Sequence, residues 1–497
     1  MNITPLFIVL PLGGAFLTPL LGKRWKYFPG AACNIITFCM LCLSIAAVAM
    51  VYRYGIIMYR VGGWMPPVGI ALVLDSLSAF MLVTVNLVAF IVAVYSIDYM
   101  KMYTARWNFY TLFLLMIAGM NGMIITGDLF NLFVFLEIAS IASYALVAFG
   151  TEQEELEAAF KYAVMGSLAS SLILLGIALL YGFTSTLNMA DMAQIIAGRR
   201  GSQLLLFVSG LFIMGFGLKT ALIPFHAWLP DAHPSAPAPI SAMLSGVLIK
   251  TLGIYSLMRI FFSILGMTDA VLNILLALGA VSMAIGVFLA IGQWDFKRLL
   301  AYHSISQVGY VMLGIGLGTP LGILGGLFHL FNHSIFKSLL FLNSGAVVYA
   351  TGTRDLRLMG GLKERMPVTA ATSFIASMSI SGVPPFNGFW SKLVIIVACV
   401  QGGRYGYAFL AALVSLITLA SFMKVQRYAF YGRLGEKWRH AAEVPFSMRF
   451  AMIVMAAACL FGGALLLPSI SAPFLKGAEE ALLLGTGYAG RVMENLK

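Results

Sequence analysis

Apolar runs separated by short polar loops recur along the whole chain. A helix that spans a membrane needs about 20 mainly apolar residues, and this length divides the sequence into roughly fourteen spans. The spans fall near 3–21, 31–51, 70–95, 109–126, 129–149, 158–182, 203–224, 238–262, 271–292, 299–318, 321–350, 368–400, 405–430 and 450–472. The eleventh and twelfth are longer than one span, which allows a break in either. The pattern therefore predicts an all-α integral membrane protein.

The amino-acid composition agrees with this pattern. Of the 497 residues, 61% are hydrophobic and 10% are charged, whereas a soluble domain has about 45–50% apolar and about 25% charged residues. The net charge of +12 comes from basic residues spread over short loops, without the basic block that would indicate nucleic-acid binding. We therefore expect a lipid bilayer around this chain and no nucleic-acid partner.

The Lys and Arg residues are concentrated in alternate loops. The loops after helices 1, 3, 5, 9, 11 and 13 carry roughly twice as many as the others, and the more basic loops of a membrane protein stay in the cytoplasm. The sequence thus predicts a multi-pass protein of the cell (inner) membrane with both termini on the outer side. No loop is long enough to fold as a soluble domain, so redox centres or nucleotide sites would have to lie on other chains.

The sequence gives no sign of a cofactor in this chain. Its cysteines lie in apolar segments, which is untypical of a disulfide framework, a zinc site or an iron–sulfur cluster. They are Cys33, Cys39, Cys42, Cys399 and Cys459. A P-loop and a G-x-G-x-x-G motif after a strand are both absent from the sequence, so we expect no nucleotide site and no catalytic redox site.

Two segments resemble each other and indicate an internal repeat. They are "DLFNLFVFLEIASIASY" (128–144) and "DFKRLLAYHSISQVGY" (295–310). The matched residues are Glu137 with His303, Ser140 with Ser306, and Tyr144 with Tyr310. At 3.6 residues per turn each trio lies on one helix face, and five intervening helices would reverse the orientation of the second copy. A chance match between two apolar helices is the alternative.

A second pair of segments supports the repeat. "LIPFHAW" (222–228) lies close to Lys219, and "VPPFNGFW" (383–390) lies close to Lys392. Proline inside a helix that also carries a lysine indicates an interrupted helix lining a cavity. Inverted repeats with broken helices are a recurring architecture of transporters. We therefore expect helices 7 and 12 to be broken.

Ionisable residues inside the spans are the main candidates for function. A charge at the middle of a membrane costs at least about 2.5–3.5 kcal/mol, so these side chains are expected to face one another or water inside the bundle. They are Glu137, Lys219, Lys250, His303, His329, His333, Lys337 and Lys392. Serines and tyrosines accompany them, so that together they could form a polar line for moving protons.

Glu137 and Lys219 are the candidate switch in this line. Burial favours the neutral form of a lysine, and a neighbouring carboxylate favours its charged form. A buried pair whose separation changes can therefore bind and release a proton. The alternative is a structural ion pair that holds two helices in register.

Several other candidates carry alternative interpretations. His329 and His333 have the spacing of zinc ligands, but the third ligand of a zinc site is missing and Lys337 follows one turn later. Lys161 is expected at the membrane interface. Asp75 either caps a helix near an interface or belongs to the polar line. His226, beside Asp231 at a helix break, either has a role in the polar line or has none.

Five motifs resemble one family. They are "GDLFNLFVFLE", "GLKTALIPFHAWLPDAHPSAPAPISAMLSG", "DFKRLLAYHSISQVGY", "HLFNHSIFKSLLFLNSGAV" and "GVPPFNGFWSK". They resemble the antiporter-like subunits: the D-type subunit of Mrp-type cation/proton antiporters, the proton-pumping subunits of complex I and those of energy-converting membrane-bound hydrogenases. The resemblance implies fourteen helices with two inverted five-helix repeats. The implied divisions are 1–107 (helices 1–3), 108–262 (first repeat), 271–430 (second repeat) and 431–497 (loop, helix 14 and tail).

The resemblance also implies roles for individual residues. The proton path would run through Glu137, Lys219, Lys250, His329, His333 and Lys392. Glu137 and Lys219 match the helix-5 and helix-7 pair of the family, and Lys392 matches the position nearest the exit, where some members carry Glu. Further candidates are His226, His303, Lys337, Tyr144, Tyr310, Asp75 and Lys161.

The implied function is proton translocation within a larger assembly. The partners would be other membrane subunits, including related antiporter-like subunits, and the transported ions would be protons, with sodium as an additional candidate. The motifs mix Mrp-like and complex I-like features, so the host is either an antiporter or a redox-driven translocase. The alternatives are a non-conducting structural subunit of such a complex and a stand-alone transporter of a small solute.

Overall fold

The computed structural model describes residues 3–199 and 201–494. Its helices are α1 (Leu6–Gly22), α2 (Phe28–Tyr54), α3 (Ser76–Tyr99), α4 (Arg106–Ile125), α5 (Leu129–Val147), α6 (Gln153–Thr184), α7 (Met189–Ala197), α8 (Gln203–Thr220), α9 (Leu229–Ser235), α10 (Ala238–Leu265), α11 (Asp269–Ile291), α12 (Phe296–Gly316), α13 (Pro320–Thr351), α14 (Pro367–Ser381), α15 (Asn387–Gln401), α16 (Tyr405–Phe430), α17 (Phe446–Leu466), α18 (Pro468–Ser471), α19 (Gly477–Leu483) and α20 (Gly487–Glu494). The predicted helical membrane fold is confirmed.

One small sheet departs from the all-α expectation. Strands β1 (Ile57–Arg60) and β2 (Ala71–Leu74) form an antiparallel hairpin, with Ile57 opposite Leu74 and Arg60 opposite Ala71. Leu72 also bridges to Thr126 in the turn between α4 and α5. The hairpin therefore closes the end of the bundle at which α3 and α5 begin.

Fewer helices than the fourteen expected spans meet both the length and the apolarity that a membrane crossing requires. Within the described ranges, ten helices are long and apolar enough to cross a membrane, and α1 and α15 are shorter apolar helices. The long helices α12 and α13 carry many of the buried polar side chains. The count of fourteen stays a prediction, as do the four divisions of the chain, of which residues 1–2 and 495–497 lie outside the described residues.

The two predicted helix breaks are present. The expected helix 203–224 ends at Thr220, because Ala221 has a left-handed backbone with φ of 58°. The expected helix 368–400 stops at Gly382, whose φ is 76°, and resumes as α15. Prolines follow each stop and cannot donate a helical hydrogen bond. The other long segment, 321–350, is unbroken and forms α13.

The two repeats share a turn structure and run in opposite directions. Asp128 bridges to Asn188, Asp295 bridges to Asp355, and in both cases 60 positions separate the partners. The aspartates cap α5 and α12 by accepting the backbone N–H three residues ahead. Arg354 contacts both Asp295 and Glu154, so the start of α12 lies beside the start of α6, which follows the end of α5 after a short loop. The two helices therefore point in opposite directions through the bundle.

Two helices form the centre of the bundle. Every residue of α10 is buried, as is every residue of α13 between 325 and 347. Large apolar side chains are exposed on the outer helices instead, among them Phe160, Phe288 and Phe409. Because lipid surrounds the bundle, an apolar outside and a polar centre are the expected distribution.

Candidate functional site

Lys219 lies beside Glu137 at the break after α8. Its Nζ is 3.8 Å from Oε1 of Glu137, and it donates hydrogen bonds to Oγ of Ser140 at 3.0 Å and to Oη of Tyr144 at 3.4 Å. The side chain of Lys219 is 2% exposed and that of Glu137 is 29% exposed. The three α5 residues therefore converge on one lysine, as their spacing on one helix face indicates.

Neighbouring helices hold this pair in place. The hydroxyl of Ser170 on α6 donates a hydrogen bond to Oε1 of Glu137. Tyr162, also on α6, packs edge-on against Tyr144, with 4.6 Å between ring centroids, and stacks on Trp228 at 4.3 Å. The Trp228 indole N–H donates to the carbonyl of Leu218, just before Lys219. Helices α5, α6 and α8 and the turn before α9 thus form one site.

Lys250 lies in the part of α10 that has π-helical turns. Its Nζ donates to the carbonyl oxygens of Ser245 at 2.7 Å and Gly246 at 2.6 Å. A π-turn leaves such carbonyls without their regular α-helical partner. The described residues place no carboxylate within 4 Å of this ammonium. Lys250 is therefore held by carbonyl dipoles alone.

Close contacts connect α10, which carries Lys250, to α8 in the first repeat and to α12 and α13 in the second. A Cβ at Gly253 would clash with the Thr220 hydroxyl, so the end of α8 approaches α10 directly. A Cβ at Gly246 would clash with Ser338 of α13. The hydroxyls of Ser245 and Ser304 are 2.6 Å apart and link α10 to α12. Lys250 thus lies between the Lys219 site and α13.

Helix α13 carries three buried ionisable side chains. His329 and His333 stack with 6.2 Å between their ring centroids, and Nδ1 of His329 is 2.9 Å from the Ser391 hydroxyl. Neither ring nitrogen of His333 has a hydrogen-bond partner among the described residues. Lys337 donates to the carbonyl of Leu300 on α12. These groups continue the line through the second repeat.

Lys392 is the counterpart of Lys219 beside the second break. Its Nζ donates to the carbonyl of Ile380 at 2.7 Å and to the Ser415 hydroxyl at 3.3 Å. It also lies 4.6 Å from the centroid of the Tyr310 ring, whose hydroxyl donates to the Ala411 carbonyl. Tyr144 and Tyr310, matched in the sequence repeat, therefore each contact the lysine of their own repeat.

The match between Glu137 and His303 does not extend to their contacts. His303 makes its hydrogen bond through Nε2 to the Ser421 hydroxyl at 2.8 Å, and its ring packs against Phe422. Both partners lie on α16. Within the described chain Lys392 has no ion-pair partner, so a carboxylate accompanies the lysine only in the first repeat.

Three other candidates lie outside the line. His226 does not pair with Asp231, which instead contacts Lys161 at 3.1 Å and Arg298 at 3.5 Å. The Lys161 side chain is 46% exposed, as expected of an interfacial residue. Asp75 is the N-cap of α3, since its Oδ1 accepts the Ser78 N–H at 2.8 Å.

Arg259 is a functional candidate that the sequence analysis missed. It lies on α10, forms a bidentate pair with Asp75 at 2.7 and 2.8 Å, and both side chains are 4% exposed. It also contacts Tyr255 and lies over the ring of Tyr488 in α20. An arginine inside the predicted span 238–262 was the signal for it.

His233 and Lys297 were missed as well. His233 is fully buried, and its ring lies between Trp228 and Phe341, at 6.1 and 5.8 Å between centroids. Both of its ring nitrogens lack a partner among the described residues. Lys297 is buried too and donates to the carbonyl of Ala236 at 2.7 Å. Its position in "DFKR" suggested a loop charge, and the fold places it inside.

A charged cavity opens above these two residues. We call it the vestibule; its volume is about 420 Å³. Its charged lining consists of Glu154, Glu157, Lys161, Asp231, Asp295, Arg298 and Arg354. Pro234, next to His233 in the chain, also lines it, and its carbonyl accepts a hydrogen bond from Lys297 at 3.3 Å. The vestibule therefore ends one residue away from His233, at the end of the bundle that carries the basic loops.

The described residues include no group of three His, Cys, Asp or Glu side chains placed to hold a metal ion. Cys39 and Cys42 are separated as C-x-x-C on α2, but both are free and exposed. The side chains of the line are one glutamate, lysines, histidines, tyrosines and serine hydroxyls. Such groups exchange protons, and their arrangement is suited to proton transfer across the bundle.

Comparison with known proteins identifies the family. The sequence model described as "NADH:quinone oxidoreductase/Mrp antiporter, TM" matches residues 126–418, and that of "NADH-Ubiquinone oxidoreductase (complex I), chain 5 N-terminus" matches 64–110. The first match covers more than half of the chain. The chain belongs to this family. The D-type subunit of the Na(+)/H(+) antiporter of Alkalihalophilus pseudofirmus is 39% identical over 79% of this chain and 80% of its own length.

Two solved structures show how far the fold of this NADH:quinone oxidoreductase/Mrp antiporter family is shared. A chain of the Mrp complex from Dietzia sp. DQ12-45-1b superposes with a TM-score of 0.90 at 28% identity, covering 99% of both chains. A chain of an archaeal membrane-bound sulfane sulfur reductase, a respiratory membrane complex, gives 0.91 at 32% identity over the same share. The family match at 126–418 includes every residue of the line from Glu137 to Lys392.

Proposed function

We propose that this antiporter-like chain translocates protons along the line from Lys219 to Lys392. The observation that carries the proposal is the contact of the buried Lys219 with the half-buried Glu137 at a helix break, with 3.8 Å between Oε1 and Nζ. Burial and a carboxylate act in opposite directions on the proton affinity of a lysine. A small change in this distance therefore changes whether the lysine holds its proton.

The order of residues suggests a stepwise mechanism. A proton taken up through the vestibule reaches the line near His233, and Glu137 stabilises the charged form of Lys219. Withdrawal of Glu137 releases the proton toward Lys250, which only carbonyl oxygens contact. From Lys250 it passes through His333 and His329 to Lys392 and leaves. Repulsion between neighbouring positive charges divides the transfer into steps, and the energy source of the assembly sets its direction.

The chain is proposed to act within a multisubunit membrane assembly. The two solved relatives are chains of such complexes, one an Mrp complex and the other a respiratory complex. The partners would be other membrane subunits, related antiporter-like subunits among them. The basic loops around the vestibule belong to the set predicted to be cytoplasmic, which supports the cell membrane with both termini outside.

Sodium coupling is a further part of this proposal. The relative from Alkalihalophilus pseudofirmus is named as part of a Na(+)/H(+) antiporter. The side chains of the line are mainly donors, and sodium prefers oxygen ligands. We therefore assign the proton step to this chain and the sodium step to a partner subunit.

Proton movement in inverted membrane vesicles tests the proposal. The intact complex is compared with Lys219→Ala and Glu137→Ala, with a sodium gradient or the respiratory substrate as energy source, and assembly is checked by purification. Lys437→Ala, at an exposed loop residue, is the control. Loss of proton movement in both assembled variants supports the proposal. Normal movement in both would make the pair structural and the chain a non-conducting subunit.

A further inference from the structure

A basic cavity lies at the same end of the bundle, away from the vestibule. It has a volume of about 660 Å³ and is formed by the turn between α1 and α2 and the turn between α3 and α4. Five basic side chains line it: Lys23, Arg24, Lys26, Lys101 and Arg106. The part of the chain that the structure describes adds no acidic side chain to this lining. The cavity therefore attracts anions.

Most of this charge is not neutralised within the chain. Lys101 pairs with Asp98 at 2.5 Å, whereas Arg106 donates only to backbone carbonyls, those of Lys101 and Tyr103. Lys23 lies over the ring of Trp107 at 5.7 Å. No carboxylate of the described residues lies within ion-pair distance of Lys23, Arg24, Lys26 or Arg106. Four of the five basic side chains of this cavity thus have no carboxylate partner among the described residues.

The surface beside the cavity is apolar. Helix α1 ends at Gly22, and in its last turns Phe16 and Leu20 are 63% and 72% exposed. Trp25, in the α1–α2 turn, is 57% exposed. Tryptophan is enriched where lipid headgroups meet the acyl chains. The cavity therefore lies at headgroup level, directly above a helix face that contacts acyl chains.

We propose that this basic cavity is a binding site for the phosphate headgroup of an anionic phospholipid. Basic pockets between membrane helices bind acidic headgroups, and arginine and lysine donate charge-assisted hydrogen bonds to phosphate oxygens. The acyl chains would lie along Phe16 and Leu20. A free phosphate ion would use the same cations but leave this apolar face unused, which favours the lipid.

Lipid binding to the purified, delipidated complex tests this site. Native mass spectrometry and the melting temperature are measured with phosphatidylglycerol, with phosphatidylcholine and with inorganic phosphate at equal concentrations. We expect phosphatidylglycerol to bind and to raise the melting temperature, and the other two to have little effect. The triple variant Lys23→Gln, Arg24→Gln, Lys26→Gln is expected to lose about tenfold or more in affinity for phosphatidylglycerol.

Two control variants make the test specific. Lys437→Gln with Arg439→Gln removes exposed basic charge from another loop and should leave binding unchanged. Lys23→Arg with Lys26→Arg keeps the charge and should retain binding even if the triple variant folds poorly. Equal binding of phosphatidylcholine, equal stabilisation by phosphate, or unchanged binding in the triple variant would each overturn the proposal. So would loss of a partner subunit without loss of lipid, which would identify a protein interface.

Discussion

Lys219 and Lys392 have corresponding positions in the two repeats, but only Lys219 has a carboxylate beside it. Glu137 lies 3.8 Å from Lys219, while Lys392 contacts a carbonyl, a hydroxyl and the face of Tyr310. A carbonyl and a hydroxyl stabilise an ammonium less than a carboxylate does. The two ends of the line therefore hold a proton with different strength.

Replacement of Glu137 by Gln should reduce proton movement by about tenfold or more, because a carboxylate at this distance changes the proton affinity of an amine by at least about that factor. The amide keeps the hydrogen bond from Ser170 but removes the charge that favours the lysine ammonium. The measurement is proton uptake by inverted vesicles. Glu436→Gln, at an exposed loop residue, should pump normally. Full activity of the Glu137 variant would contradict the switch.

Replacement of His233 by Phe should separate transport from stability. The buried ring nitrogens of His233 lack partners within the described ranges, and an unpaired buried polar group costs about 1–3 kcal/mol. The melting temperature should therefore stay the same or rise, while proton movement falls. His440→Phe, at an exposed position, is the control. Unchanged proton movement would exclude His233 from the path.

Replacement of Asp75 by Asn should destabilise the protein by about 3–5 kcal/mol, because it leaves the buried guanidinium of Arg259 unpaired. The measurement is thermal unfolding of the purified protein in detergent. The double variant Asp75→Leu, Arg259→Met should recover much of the loss. Glu436→Gln, which breaks the exposed contact with Arg439, should leave unfolding unchanged. An Asp75 variant as stable as the parent would refute the role of the pair.

Replacement of Gly388 by Ala should disturb the second helix break. A Cβ there would lie 1.8 Å from the carbonyl oxygen of Ser379, and overpacking of this kind costs about 1–3 kcal/mol. We expect a lower melting temperature. Gly406→Ala is the matched control, because a Cβ at Gly406 meets nothing within 4 Å. Equal melting temperatures would show that the two halves of this helix separate easily.

The sequence was most informative where spacing and chemistry agreed. Glu137, Ser140 and Tyr144 share a helix face by their spacing, and the cost of a buried charge required a partner, so the contact with Lys219 could be predicted. The proline segments near Lys219 and Lys392 likewise indicated the two breaks. Length and hydropathy did not settle the number of spans, because α12 and α13 carry many polar side chains.

Other contacts depended on distant packing that the spacing does not contain. His303 matches Glu137 in sequence, but α16 brings Ser421 to it. Lys297 looked like one of the loop charges, yet the α9–α10 turn covers it and supplies carbonyl partners. Arg259 lay in a predicted span without a visible partner, since Asp75 is 184 positions away.

The position of α10 restricts how the two repeats can move. This helix ends the first repeat, yet its Ala242 carbonyl accepts a hydrogen bond from Ser338 of α13, and its Ser245 meets Ser304 of α12. The repeats thus share one interior, and rocking one half against the other would break these contacts. A proton path through this interior would therefore depend on changes of side-chain rotamer and of the short unwound segments beside Lys219 and Lys392. Local side-chain rearrangement would then replace the rigid-body movement of one repeat against the other.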